Sequence, residues 1–541
     1  MKKMTGGEAL VRALADHGVD TVFGIPGTHN LEIYAHLDGA GIRHVSPRHE
    51  QGAGYAADGY ARSTGRVGVA VVTSGPATLN AATAIGQAYS DSVPVLLISP
   101  GMPLRHPGRG NGLLHETKDQ RAAMDAVAAY SHRVTSVAEV PVAVAQAFAT
   151  MTFGRPRPVH LEMPLDVLAE TDEVAPVAPV VPGLLIPGLA GLSTAAAWLD
   201  TAERPVVLAG GGARGAAGEL RSLAERLGAP VITTTNGKGV LPEDHPLALG
   251  AGVHLPSVHA LVADADAVLV VGSELAPADL WYGPLPLAGR LIRVDVDPVQ
   301  IVTNASPDVA LVGGATSALR GLLDRLGPGV AAPDAAVGRA ARWRSLVRAD
   351  SRAEGARYLW IVDAIAAALG RDGVLAADSA MVCYYGALAN LPAYAPGSFL
   401  YPTGYGTLGY GLPAAIGAKV ARPNAPVIAL LGDGGIMFTV AELAAAAQLC
   451  LPLPVVVVDN HGYGEIRNEM VDRGDPVHAV DLDSPDFVRL ARALGCHGVR
   501  ADEPSALAGA LADALTADRP TLIHVREPAA EPAAEPEEPR S

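Results

Sequence analysis

No two cysteines lie at short spacing in this chain. Cys383, Cys450 and Cys496 are far apart, which argues against a CxxC redox motif, a zinc knuckle and a disulfide framework. No apolar run reaches the roughly 20 residues of a membrane helix; stretches such as Ala267–Gly272 have strand length. Met1-Lys2-Lys3-Met4 is not followed by the apolar core of a signal peptide, so the cytoplasm is the expected location. Positive charge is also in short supply. A formal net charge of −16 argues against nucleic acid, which favours a basic face, and is read as solubility. Neither nucleic acid nor membrane is expected as a partner. Aromatics are few, while Ala, Gly and Pro abound. Nearly half the residues are apolar and under a fifth are charged, an ordinary globular composition.

The 541 residues suffice for about three to four domains. Short β-branched or Leu-rich runs alternate with Ala-rich helical stretches in three blocks. Strands are expected at Thr21–Ile25, Val67–Thr73, Pro94–Ser99 and Val159–Glu162 in the first. The second has Pro205–Ala209, Pro230–Thr234, Ala267–Gly272 and Leu291–Asp295. The third has Val374–Ala377, Pro426–Leu431, Pro454–Val458 and Thr521–Val525. Alternation of this kind implies parallel sheets covered on both faces. The expected class is α/β, with three doubly wound domains at residues 1–170, 191–326 and 356–526. The Pro/Val/Gly-rich stretch 171–190 and the Gly/Ala/Pro/Arg-rich stretch 327–355 read as linkers. The Glu/Pro/Ala tail 527–541 is expected to be disordered.

The third block carries the most chemistry. A buried-looking strand runs into Gly432-Asp433-Gly434, and after residues 435–458 a second apolar strand ends at Asp459-Asn460. Carboxyl ends of neighbouring parallel strands converge on one crevice. Asp433 and Asn460 would meet there as hard oxygen ligands for Mg²⁺, completed by phosphate oxygens and water. The glycines let backbone N–H groups approach phosphate at a helix N-terminus.

This segment resembles the diphosphate-binding signature of thiamine diphosphate enzymes, a GDG followed about two dozen residues later by an Asn pair. Asp459 departs from the pattern; Asn460, the metal-binding member, keeps it. The resemblance implies Asp433, Asn460 and the backbone oxygen of Gly462 as metal ligands, with Ser379, Gly432, Gly434, Gly435 and Tyr463 also around the cofactor. The run Arg48-His49-Glu50-Gln51-Gly52-Ala53 is similar to the pyrimidine-side motif of the acetolactate synthase and 2-oxo acid decarboxylase group. Thr73-Ser74-Gly75-Pro76-Ala77-Thr78-Leu79-Asn80 resembles the same group's next turn, bringing Ser74 and Asn80 to the cofactor. Family mechanism gives Glu50 a hydrogen bond to N1′ of the aminopyrimidine, whose imino form removes the thiazolium C2 proton. The cofactor does the hard chemistry and the protein orients it.

Gly404-Tyr405-Gly406-Thr407-Leu408-Gly409 matches GxGxxG literally, but no clear strand precedes it and Pro402 stands just upstream. It resembles instead a family loop in which Gly406 O accepts from the 4′-amino group and Leu408 is the wedge that bends the cofactor. A second GxGxxG, Gly210–Gly215, does follow a strand. Synthases of the family hold FAD in that domain. Ser273–Gly283 does not resemble theirs, so an unliganded turn is favoured over FAD.

On the substrate side, His115 falls where the family's decarboxylases carry a His and its synthases a Gln; an imidazole there would relay a proton. Thr28 and His29 sit at the turn facing C2. Glu465 lies where relatives place apolar substrate contacts, and a carboxylate suits a cationic tail such as that of a guanidino 2-oxo acid. A helix-start Glu favoured by the macrodipole is the alternative. The resemblance implies release of CO₂ and an aldehyde from a small-molecule 2-oxo acid. An acetolactate synthase-like carboligase, a lyase of other C–C bonds and a non-catalytic nucleotide-binding protein remain as alternatives. It further implies a homodimer or homotetramer, with Glu50 of one subunit meeting the Asp433–Asn460 site of another.

Overall fold

A computed structural model of the chain describes residues 2–108, 110–181, 183–326 and 334–527. Three six-stranded, all-parallel sheets follow one another along the chain. The first orders its strands Arg43–Val45, Thr21–Gly24, Gly68–Val71, Val95–Gly101, Val159–Pro164, Tyr130–Arg133. The third orders Phe399–Leu400, Val374–Ala377, Val427–Gly432, Pro454–Asp459, Thr521–Arg526, His497–Arg500. Counted within each domain, both orders are 2-1-3-4-6-5. The central sheet differs. Its order is Ala248–Ala251, Val231–Thr233, Pro205–Ala209, Ala267–Val271, Arg290–Asp295, Val309–Val312, the 3-2-1-4-5-6 arrangement of dinucleotide folds.

Strand alternation explains why each sheet is covered twice. Val69 and Val71 enter one core while Ala70 and Val72 enter another. Val206 and Leu208 likewise separate from Val207 and Ala209, and Ile428 and Leu430 from Val427, Ala429 and Leu431. One core spans the first and third domains. It is built where helix Glu50–Thr64 packs on helix Gly411–Ala421. Both helices are rich in Gly and Ala at the contact. A Cβ on Gly59 would overlap the carbonyl oxygen of Ala414, and one on Gly417 that of Ala56, so their backbones touch.

Two stretches read as linkers carry regular structure. Thr171–Val174 is a strand pairing antiparallel with Lys2–Thr5, so the chain's start and the exit from the first domain are tied together. Asp334–Glu354 is a helix of 21 residues; buried Ala340, Trp343 and Val347 seat it on the central domain. Its Arg-rich composition hides a narrow apolar stripe. Of the Glu/Pro/Ala tail, Glu527 is held, accepting from Arg357 Nη1 (2.6 Å) and Tyr358 Oη (3.0 Å); the rest lies outside the described residues. The Gly404 loop is preceded by a strand after all, the two-residue Phe399–Leu400 at a sheet edge.

Candidate active site

The third sheet reverses direction of growth between Val374–Ala377 and Val427–Gly432, the switch point at which such sheets bind ligands. A cleft of about 610 Å³ opens there, within the roughly 300–1,000 Å³ typical of small-molecule sites. Ser379, Gly406, Leu408, Gly432, Asp433, Gly434, Gly435, Asn460, Gly462, Tyr463 and Glu465 all line it. The structure thus brings the sequence-derived diphosphate-side and metal residues into one wall.

Asp378 holds this wall together. It follows strand Val374–Ala377, is fully buried, and accepts from the backbone N–H groups of Ser379 (2.9 Å), Gly409 (2.9 Å) and Tyr410 (3.3 Å). Burial pushes its carboxyl up to about 6. A Cβ on Gly435 would come 2.8 Å from its Oδ2. Asp378 was not singled out from sequence; an Asp at the carboxyl end of a central strand, beside Ser379, was the available signal.

Asp433 Oδ2 accepts from Gly462 N (2.9 Å) and Ser484 Oγ (3.3 Å). Burial, then the charge of Asp459, raise its carboxyl. Asn460 Nδ2 faces Met381 Sδ at 3.8 Å, and Asn460 Oδ1 is buried without a hydrogen-bond partner among the described residues. A buried polar atom left unmatched has a cost that a cation would remove. No cluster of three or more His, Cys, Asp or Glu forms among the described residues. The donors present are one carboxylate, one amide oxygen and the Gly462 carbonyl. That is a hard, oxygen-only set with room for phosphate, which fits Mg²⁺ rather than a softer metal.

The departure at Asp459 has a physical reason. Its Oδ2 meets His524 Nε2 (2.9 Å) on the neighbouring strand, and Oδ1 accepts from Ser484 Oγ (2.8 Å) and His461 N (3.0 Å). Burial opposes ionisation, but the bonds from His524, Ser484 and His461 outweigh it and bring the carboxyl down to about 2. An amide would leave His524 without its charged partner.

The other half of the predicted machinery gathers at the matching switch point of the first sheet. His29 Nδ1 lies 2.6 Å from Ser74 Oγ, Ser74 Oγ 3.5 Å from His115 Nδ1, and the two rings are 5.0 Å apart. Burial, then His115, lower the pKa of His29, which keeps its imidazole neutral. His115 sits in the left-handed region at φ 64°, uncommon for a side-chain-bearing residue. Thr28 is exposed beside His29. Two supports went unnoticed in the sequence. Asn30, buried, accepts from Gly27 N (2.7 Å) and donates to Ile25 O (3.1 Å), fixing the Thr28–His29 turn. Gln120 accepts from Gly75 N (2.7 Å). Glu50 opens helix Glu50–Thr64 and takes a bond from Asn80 Nδ2 (2.9 Å). Neither Glu50 nor Asn80 lines the 610 Å³ cleft of its own chain.

Glu465 starts helix Gly464–Arg473. The Tyr385 hydroxyl, kept protonated by burial and by Glu465, donates to its Oε1 at 2.7 Å. Its Oε2 is buried and has no partner among the described residues. Tyr385 belongs to a π-helical turn, Val382–Ala387, a deformation common at functional sites. Trp281 and Tyr282 of the central domain, and Glu469 one helical turn beyond Glu465, complete this end of the cleft.

The glycines at Gly210–Gly215 have a structural use. A Cβ on Gly212 would come 2.8 Å from the Gly272 backbone, and one on Gly210 2.6 Å from Ser273 Cβ. The cavity beside them measures about 160 Å³ and is lined by Arg155 and Arg214 as well as by Asp91, Glu274, Asp279 and Asp295. It is below the roughly 300 Å³ of ordinary ligand pockets.

Comparison with known proteins agrees with this geometry. Family models described as "Thiamine pyrophosphate enzyme" match the N-terminal TPP binding domain at residues 4–129, the central domain at 192–322 and the C-terminal TPP binding domain at 380–525. A protein named probable 2-ketoarginine decarboxylase, from Pseudomonas aeruginosa, is 47% identical over 92% of this chain and 89% of its own length. A probable acetolactate synthase large subunit from Methanocaldococcus jannaschii is 34% identical over 96% and 92%. Acetolactate synthase isozyme 3 large subunit from Escherichia coli is 32% identical over 95% and 93%.

Proposed function

The chain belongs to the thiamine pyrophosphate enzyme family, and from that premise we propose that it decarboxylates a 2-oxo acid whose tail ends in a cation, releasing CO₂ and an aldehyde. The carrying observation is Glu465, a carboxylate oriented by Tyr385 with one buried oxygen left unmatched at the aromatic end of the cleft. A guanidinium, planar and rich in N–H donors, satisfies such an oxygen well. Glu469, exposed one turn away, adds like charge that a cation would offset. The 2-ketoarginine decarboxylase relative is named for a substrate of this type, and 5-guanidino-2-oxopentanoate is the natural compound to test.

Bound thiamine diphosphate supplies the nucleophilic thiazolium carbon and the electron sink for loss of CO₂. Asp433, Asn460 and Gly462 would hold Mg²⁺ and through it the diphosphate, with the Gly434 and Gly435 backbone alongside. Leu408 and the Gly406 carbonyl would orient the rings. Glu50 would hold a proton at the pyrimidine N1′. His29, held neutral, and His115 would take up or release a proton at their ring nitrogens, with Ser74 between them. Glu50 does not line the cleft of its own chain, which supports a homodimer or a dimer of dimers completing each site. Leu79 beside Asn80, Leu113 and Leu114 beside His115, and Met437 and Phe438 after Gly435 are exposed apolar side chains that a second subunit would cover.

The acetolactate synthase relatives support a second reading, joining the cofactor-bound fragment to another carbonyl. One preparation with thiamine diphosphate and Mg²⁺ separates the two. CO₂ from 5-guanidino-2-oxopentanoate in preference to pyruvate supports the decarboxylase. Acetolactate formed from pyruvate, one CO₂ per two pyruvates, supports the synthase and refutes the proposal.

A further inference from the structure

Helix Glu50–Thr64 begins under the control of a residue almost four hundred positions away. Glu442 opens helix Glu442–Gln448 in the third domain and is buried at 1% exposure. Its Oε1 accepts from the backbone N–H groups of Arg48 (3.0 Å) and His49 (3.0 Å), and its Oε2 from Arg48 N (3.1 Å). These are the two residues immediately before Glu50. Arg48 reaches the far end of the same short helix, donating to Gln448 Oε1 (2.5 Å). Room for the carboxyl comes from Gly52: a Cβ there would overlap Glu442 Oε1. Gly52 is thus required by an interdomain contact and not by its own helix, where a glycine only weakens the structure.

Burying a carboxylate is costly unless its bonds compensate. Burial raises the Glu442 carboxyl to about 7, the Arg48 and His49 N–H groups pull it down, and Glu50 pushes it up. In its ionised form such a group adds little stability. It adds geometry, because a charged acceptor engaging two successive N–H groups fixes where the backbone enters the helix.

We propose that Glu442 is a positioning residue for Glu50, fixing the first turn of its helix so that the Glu50 carboxyl faces the aminopyrimidine. The proposal rests on the role given to Glu50 above, and its test keeps the two apart. Three full-length variants are needed: Glu442→Ala, which removes both oxygens; Glu442→Gln, which keeps one; and Glu50→Gln. Two readouts apply. Amide hydrogen–deuterium exchange over residues 47–53 is measured without cofactor, and CO₂ release with thiamine diphosphate and Mg²⁺. In Glu442→Ala the amides of Arg48 and His49 should exchange about tenfold faster, and kcat should fall about tenfold with KM for the 2-oxo acid unchanged, the scale of one charge-assisted bond. Glu442→Gln should lose less on both measures. Should Glu442→Ala not fold, Gly52→Ala presses on the same carboxyl from the other side and should reproduce both effects. Wild-type exchange and kcat in the Glu442 variants, with Glu50→Gln inactive, overturn the positioning role alone. An active Glu50→Gln removes the reading beneath it.

Discussion

Replacing Glu465 by Gln removes one charge and leaves the shape of the cleft intact. Tyr385 can still donate to the remaining side-chain oxygen, so the helix start and the π-helical turn should stay in place. The other position, the buried and unmatched Oε2, becomes a neutral NH₂ group in one rotamer or a neutral oxygen in the other. A hydrogen bond to a charged group contributes about 1.5–3 kcal/mol. At about 1.4 kcal/mol per factor of ten, kcat/KM for 5-guanidino-2-oxopentanoate should fall roughly 10- to 150-fold. An uncharged 2-oxo acid of similar length should lose nothing, and should gain if the buried charge was repelling its tail. Both substrates are assayed by initial rates of CO₂ release with saturating cofactor. Equal changes for the two, or a loss below threefold for the guanidino compound, would show that Glu465 does not read the tail. Its place at a helix N-terminus would then be its whole explanation.

Glu50→Gln should lower kcat by about 10²–10⁴, the usual contribution of general acid–base catalysis, while thiamine diphosphate, measured by fluorescence titration, still binds. Glu442 makes stability depend on pH with a defined sign. Its folded carboxyl is raised from 4.5 to about 7, so its contribution is fully present below pH 4.5 and lost as pH rises through 7. At about 1.4 kcal/mol per unit the loss is about 3 kcal/mol. Denaturant unfolding at pH 5 and 8 should show the wild type losing that much relative to Glu442→Gln, and a parallel pair of curves refutes it. Gly417→Ala drives a methyl into the Ala56 carbonyl between two touching helices; it should cost about 1–3 kcal/mol, read as a lower melting temperature.

What could be read without coordinates follows from burial. In each six-stranded sheet the four strands expected from sequence are the inner four, and the two not expected are the edges: Arg43–Val45 and Tyr130–Arg133, Ala248–Ala251 and Val309–Val312, Phe399–Leu400 and His497–Arg500. An inner parallel strand is covered on both faces and is mostly apolar, which leaves a recognisable run even where a buried His160, Glu162 or Arg293 interrupts it. Some edge strands carry polar residues that break the run, such as Arg43 and His132; Ala248–Ala251, Val309–Val312 and Phe399–Leu400 are apolar but only two to four residues long. The residues expected around the cofactor were legible for a related reason. An added Cβ would press on Tyr463 at Gly434, on Asp378 at Gly435 and on Ser90 at Gly404, and Gly406 has a positive φ, so few residue types are tolerated there.

Only the tertiary structure decided how distant parts combine. His524 explains Asp459, Asp378 ties the Gly404 loop to a strand end, and Glu442 explains Gly52, each across tens to hundreds of residues. Glu465 had two meanings in the sequence, a helix-start acid or a substrate contact. Its aromatic surroundings and unmatched oxygen give physical content to the second, because those neighbours come from another domain and from a turn 80 residues away. Local pattern reports which surfaces are buried. It does not report which buried groups meet.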